Sequence, residues 1–212
     1  MANLMDPSVN IEGKIAAVKE LKNSIEAITS SPEYNSYLRA ILPSFIQLFL
    51  SASGIFQPQI INLKNLMLEI VHRFPHNEAL KIYARELMIA LITVLKSDSE
   101  GNAVLSLKII VDLHKNYKSL VEDQVQPLMD VVLTMYSNMH DAVRMAFSVP
   151  KFLTQDENPD GTLDQNITTS MYSFKVLTEC PVIVALLFSL HRSIVPINVN
   201  RFVPLIVNVK NY

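Results

Sequence analysis

Glycine is the residue this sequence most clearly lacks, with four in 212 positions, against a usual share of roughly 7%. Sheet-rich folds and phosphate-cradling loops depend on glycine for tight turns and close backbone approach, so its scarcity argues for helices. Cysteine occurs once, at Cys180. That excludes an intrachain disulfide framework and fits a reducing compartment such as cytosol or nucleus. Neither sign of charge dominates, with 18 Lys and Arg against 20 Asp and Glu for a net −2. The basic excess of a dedicated nucleic-acid binder is therefore missing, and no direct nucleic-acid contact is expected. The longest apolar run, Val182 to Leu190, is about half the roughly 20 residues a bilayer span requires. It reads as a buried helix, and no membrane association is expected. The opening residues to Gly13 include Asp6 and Glu12 and have no apolar stretch of signal-peptide type.

The motifs of known chemistry are missing as well. Gly13-Lys14 lacks both the first glycine and the following Ser or Thr of a phosphate loop. His72 and His76 are separated by the helix-ending Pro75, with no cysteine or carboxylate at ligand spacing, so no metal and no cofactor are expected. The plain reading of His72 and His114 is a partly buried histidine at a junction between repeats. Cys180 precedes Pro181 inside an apolar segment and reads as a buried structural thiol. Met129, Met135, Tyr136 and Met139 suit either core or groove, with core the plainer reading. No catalytic constellation emerges, and the chain is expected not to be an enzyme.

What is abundant is helical periodicity. Leu80, Ala84, Leu87, Leu91 and Val94 form one stripe, as do Leu63, Met67, Ile70, Val71 and Phe74. Asn77 reads as an N-cap with Glu78 favoured by the helix dipole in the first turn. Ser97 to Glu100 resembles a capping box opening a helix that carries Val104, Leu107, Ile110, Val111 and His114. Helices are predicted at 9–29, 33–52, 59–74, 78–96, 101–117, 120–138, 139–147, 170–193 and 199–210. Their short connections favour antiparallel neighbours.

Repetition organises these helices. Pro43 and Pro127 stand 84 residues apart, twice 42, and His72 and His114 stand 42 apart. Pro43, Pro127 and Pro204 are each expected early in the second helix of a pair. Ser106-Leu-Lys108 and Ser173-Phe-Lys175 are expected to correspond once an inserted loop is allowed for. Two-helix units of about 40–47 residues point to an all-α, HEAT-like helical-repeat solenoid of antiparallel pairs, with a period of about 42. A plain antiparallel bundle is the alternative. The division expected is 1–147 as helix pairs, 148–169 as a polar acidic loop, and 170–212 as a further pair. The loop holds Asp156, Glu157, Asp160 and Asp164. No polar capping repeat follows Pro204, so continuation of the chain in a longer protein is expected.

Several stretches carry a resemblance. They are SSPEYNSYLRAILPSFIQLFL (30–50), LMLEIVHRFPHNEALKIYA (66–84), SEGNAVLSLKIIVDLHKNYKSLVED (99–123), MYSFKVLTECPVIVALLFSLHR (171–192) and RFVPLIVNV (201–209). In this order they resemble the N-terminal region of the TRRAP family, very large pseudokinase scaffolds of the phosphatidylinositol-3-kinase-related class, and look closer to its fungal Tra-type members. The resemblance implies a nuclear, non-catalytic subunit of SAGA and NuA-type histone acetyltransferase complexes. Its solenoid would dock transcriptional activators, other coactivator subunits and the rest of the same solenoid. Family members often carry a longer insertion before the segment that matches MYSFKVL.

Acidic activators favour exposed basic and apolar side chains. Lys108, Lys115 and Lys118, read as neighbours along helix 101–117, are the candidate contact residues, against the plainer reading of a solvated face. A generic HEAT adaptor in trafficking or translation is the rival function.

Overall fold

The computed structural model describes residues 4, 6, 8–51, 57–139, 141, 143–144 and 170–208, with side chains described to Pro204. The chain runs through α1 (Ile11–Thr29), α2 (Tyr34–Leu50), α3 (Pro58–His72), α4 (Glu78–Lys81), α5 (Ala84–Ser97), α6 (Glu100–Asn116), α7 (Lys118–Val121) and α8 (Val125–Ser137). It resumes with α9 (Phe174–Leu190) and α10 (Val195–Asn208). No strand occurs among the described residues. The predicted helix 139–147 falls mostly, and the acidic loop 148–169 wholly, outside them.

The helices stack in two layers. In the first, α1 packs on α3, α3 on α6 and α6 on α9; in the second, α2 packs on α5, α5 on α8 and α8 on α10. The all-helical array is consistent with an α-solenoid. Each helix buries one stripe between the layers, and all ten predicted stripe residues from Leu63 to Val94 are buried. First-layer helices begin at Ile11, Pro58, Glu100 and Phe174, so the steps between them are unequal. His72 and His114 are each the fifteenth residue of their helices, α3 and α6.

Local chemistry starts and stops these elements. Asn10 caps α1 by accepting from the Gly13 N–H, and Asn77 caps α4 by accepting from the N–H groups of Ala79 and Leu80. Pro58 opens α3, where its missing N–H breaks no helical bond. Ser99, not Ser97, caps α6, accepting from the Asn102 N–H; Ser97 closes α5 and turns its hydroxyl back to the Thr93 carbonyl. Ser173 caps α9 by accepting from the Val176 N–H. Ser173 is therefore the counterpart of Ser99, and the expected match with Ser106, buried in mid-α6, does not hold.

Second-layer helices are less continuous than predicted. The helix expected over 78–96 breaks at Ile82 and Tyr83, where the Tyr83 N–H donates to the Leu80 carbonyl at 3.0 Å. No glycine or proline marks the break. Leu80 and Ala84, on either side of it, are both buried. The helix expected over 120–138 is likewise α7, a 3-10 turn at Glu122–Gln124, and α8. Pro127 lies in the first turn of α8, but Pro43 and Pro204 sit deep inside α2 and α10, so "early in the second helix" fits only the first. All three prolines face solvent, so the carbonyls that Pro43 and Pro204 leave without a helical donor are open to water.

No single helix among the described residues is long and apolar enough to cross a membrane; α9 and α10 approach that composition jointly but diverge by 109°.

Candidate functional site

Two of the three predicted lysines lie on α6, in the first layer. Lys108 and Lys115 are both exposed on α6, two turns apart, which puts them roughly 10 Å from one another along the axis. Asp112 lies between them, with its carboxylate turned 3.8 Å from His72 Nε2 on α3. That His72 is exposed corrects the expectation of a partly buried histidine there. Lys118 does not share α6. The backbone breaks at Tyr117 (φ −130°, ψ 35°), and Lys118 opens α7. Its charge is felt at His191, whose pKa is lowered chiefly by burial and then by Lys118, with Glu122 opposing. None of the three ammonium groups has a carboxylate within 4.0 Å among the described residues. The structure thus joins two of the lysines on one face and sets the third around a corner.

A second exposed feature is apolar. Between α8, α9 and α10 runs a groove of about 500 Å³ whose lining includes Tyr136, Met139, Phe174, Val184, Phe188 and Phe202. Phe188 and Tyr136 each meet the Phe202 ring edge-on, at 6.3 and 6.1 Å between centroids. Phe174 is 54% exposed and Val182 70%. Of the four residues read as core or groove, Met129 and Met135 are sealed in the core, whereas Tyr136 and Met139 are half-buried and line this groove. The all-round apolar character of Val182 to Leu190 is its sequence signal.

Buried polar groups tie the layers together without forming a reactive centre. Lys64, on α3, reaches Asp98 Oδ2 at 3.2 Å and donates to the Ser51 carbonyl at 3.3 Å. Asn102 donates to Asp98 Oδ1 at 2.7 Å and to the Ile61 carbonyl at 3.1 Å, while accepting from Asn65 at 3.0 Å. This network went unread in the sequence, although Lys64 stands between buried Leu63 and Leu66 and Asp98 and Asn102 share an i,i+4 spacing. The chain that resumes at Ser170 is held to the same place. The Ser170 N–H donates to the Asp98 carbonyl at 3.0 Å, and the Ser173 hydroxyl donates to Glu100 Oε2 at 2.6 Å.

Cys180 is buried and gives its S–H to the Val176 carbonyl; burial, with a smaller contribution from Glu179, pushes the thiol up to about 12. It is a thiol rather than a thiolate, and so a poor nucleophile. His76 meets the ring of Tyr117 edge-on. Among the described residues no three His, Cys, Asp or Glu side chains are grouped to hold a metal ion. Two exposed features stand out among the described residues: the lysines of α6 and the apolar groove beside α9.

No family model matches the chain. It is similar to the "Transformation/transcription domain-associated protein" of Danio rerio and of Homo sapiens, each 28% identical over 98% of this chain. It is also similar to the "SAGA complex/NuA4 acetyltransferase complex subunit TRA1" of Saccharomyces cerevisiae, at 24% identity over 97% of the chain. The chain spans 6% of the length of each of these relatives. The higher identity to the animal proteins gives no support to the expected leaning toward the fungal branch. Along nearly its whole length, then, the chain is a homologue of the TRRAP and Tra1 transcription-associated proteins.

Proposed function

We propose that these residues are a scaffold segment of a nuclear transcription coactivator of the SAGA/NuA4 type, without catalysis of its own. They dock activators and other subunits on the outer surfaces of a HEAT-like solenoid. The observation that carries this reading is colinear similarity over nearly the whole chain to proteins named as transcription-associated and as an acetyltransferase-complex subunit. The two-layer stack supports it. Each helix pair leaves an apolar stripe that only its neighbour covers, which is the physics of a repeat array. Units of about 42 residues, grouped as 1–147 and 170–212 around an inserted loop at 148–169, are the organisation we assign.

Lys108, Lys115 and Lys118 are the residues we assign to acidic partners. With no carboxylate within 4.0 Å among the described residues, these cations keep their long-range attraction for an anionic peptide. Affinity purification of the full-length protein from its own cells, followed by mass spectrometry, tests the assignment. Acetyltransferase-complex subunits are expected in the purified material, together with nuclear enrichment. Co-purification of vesicle-coat or ribosomal components alone would overturn it in favour of a trafficking or translation adaptor.

A further inference from the structure

α6 and α9 are built to one pattern. Each is 17 residues long and opens on a serine that caps it, Ser99 and Ser173. Each stops at a residue that leaves the helix while its N–H still donates four residues back, Tyr117 to the Leu113 carbonyl and His191 to that of Leu187. Ser173 stands 74 positions after Ser99, and His191 74 after Tyr117, so the two helices match residue for residue. In this register Asn102, Ser106, Ile109 and Leu113 correspond to Val176, Cys180, Ile183 and Leu187, and all eight are buried. Spaced at three and four, they are the stripe that each helix turns into the stack.

A second stripe has two fates. On α6, Ala103, Leu107, Ile110 and His114 are buried as well, on the side that receives α9, where His114 meets His191. Their matches on α9 are Leu177, Pro181, Val184 and Phe188, and these line the open groove beside α8 and α10. Pro181 is exposed, and Val184 and Phe188 are half-buried. Position for position, α9 carries the surface by which α6 holds its neighbour. The chemistry at its two ends has changed. On α6 the ends are polar: Glu100, which accepts from the Ser173 hydroxyl, and His114. On α9 the same two positions are Phe174 and Phe188.

We propose that the groove beside α9 is an internal seam of the array, closed by a further helix of the same polypeptide following α10, and that Phe174 and Phe188 select a helix with apolar side chains at both ends. This rests on the reading of these residues as a segment of a longer solenoid. The occupant follows from continuity: one polypeptide already makes the α6–α9 interface in this register, and the chain spans only 6% of the length of its relatives. No charged residue lines the groove, so it offers an acidic activator no ion pair. A surface so apolar is of the kind found in permanent interfaces, which resemble a core cut in half.

Photocrosslinking tests the seam. Full-length protein carries a benzophenone amino acid at Thr178 or at Ala185, both exposed and both lining the groove, and is irradiated in its purified complex before the adduct is sequenced by mass spectrometry. Ser189, exposed on α9 outside the lining, is the control position. Both groove positions are expected to capture one stretch of the same polypeptide, in the first helix after α10, and Ser189 is expected not to. Capture of a second copy, recognised by a doubled mass, or of a remote stretch of the same chain overturns the proposal, as does the lack of any adduct at both groove positions. Capture of another acetyltransferase-complex subunit overturns it too, while leaving the coactivator reading intact. Phe188→Glu is expected to lower the groove adduct about tenfold, the scale of one large apolar side chain withdrawn from an interface. Val182→Glu, at a site 70% exposed and outside the lining, is expected to leave it unchanged. Equal yields from these two variants overturn the role given to Phe188.

Discussion

His191 Nε2 stands 3.3 Å from His114 Nδ1, the two rings edge-to-face and both closed off from solvent, at the corner where α9 ends against the last turn of α6. The two facing nitrogens are within hydrogen-bond reach, and among the described residues the outer nitrogens, His114 Nε2 and His191 Nδ1, have no protein partner. Burial, and then the neighbouring His191, hold His114 down to about 4. Burial and Lys118 also lower His191.

The consequence for stability has a definite sign. Both groups take up protons more readily in the unfolded chain, so folding is most favoured above the ordinary histidine range of about 6.5. Stability falls as pH drops from there toward about 4, where His114 itself protonates in the folded state. A loss on the order of 3 kcal/mol across that window is expected from His114. Urea unfolding at a series of pH values checks this, with His114→Phe expected to flatten the profile.

The pair Lys64 and Asp98 is nearly solvent-free. Removing one member strands the other, so Asp98→Ala is expected to cost roughly 3–5 kcal/mol. Lys64→Met combined with Asp98→Asn leaves no buried charge and is expected to recover most of that loss. A double-mutant cycle by denaturant unfolding measures the coupling. Strict additivity of the two single changes would show that the ion pair contributes nothing.

Reversing Lys108, Lys115 and Lys118 to glutamate is expected to weaken binding of an acidic activation peptide at least tenfold while leaving the circular dichroism unchanged. Raising ionic strength should weaken the unaltered protein's binding in the same way, since exposed charges are screened beyond about 10 Å at 0.1 M salt. Unchanged affinity on charge reversal would mark these lysines as a solvated face.

Cys180 is expected to resist thiol-alkylating reagents at neutral pH until the chain unfolds, because it is both buried and held in the thiol form. Mass spectrometry after timed iodoacetamide exposure, with and without denaturant, reads this directly. Prompt native labelling would mean that α9 opens easily.

The parts of this structure legible in the sequence are those written locally. The stripes through Leu63–Phe74 and Leu80–Val94, the Asn77 cap and the stop at Pro75 all follow from helical periodicity and backbone chemistry. The interruption at Ile82–Tyr83 was not legible, because nothing local demands it. Nor was the partnership of His114 with His191, 77 residues apart, since only the stacking of α9 on α6 creates it. Lys118 looked continuous with Lys115 because three residues is a helical step, yet Tyr117 leaves the helix between them.

The anchoring of Ser170 to Asp98 makes the array indifferent to chain length at one place. With the Ser170 N–H on the Asp98 carbonyl and the Ser173 hydroxyl on Glu100, the turn ahead of α9 is held to the α5–α6 corner, and α9 itself packs on α6 and α8. Doubling the number of residues between those points costs only about 0.6 kcal/mol of closure entropy. Sequence can therefore be gained or lost there, and new binding segments tried, while the stack on either side keeps its register.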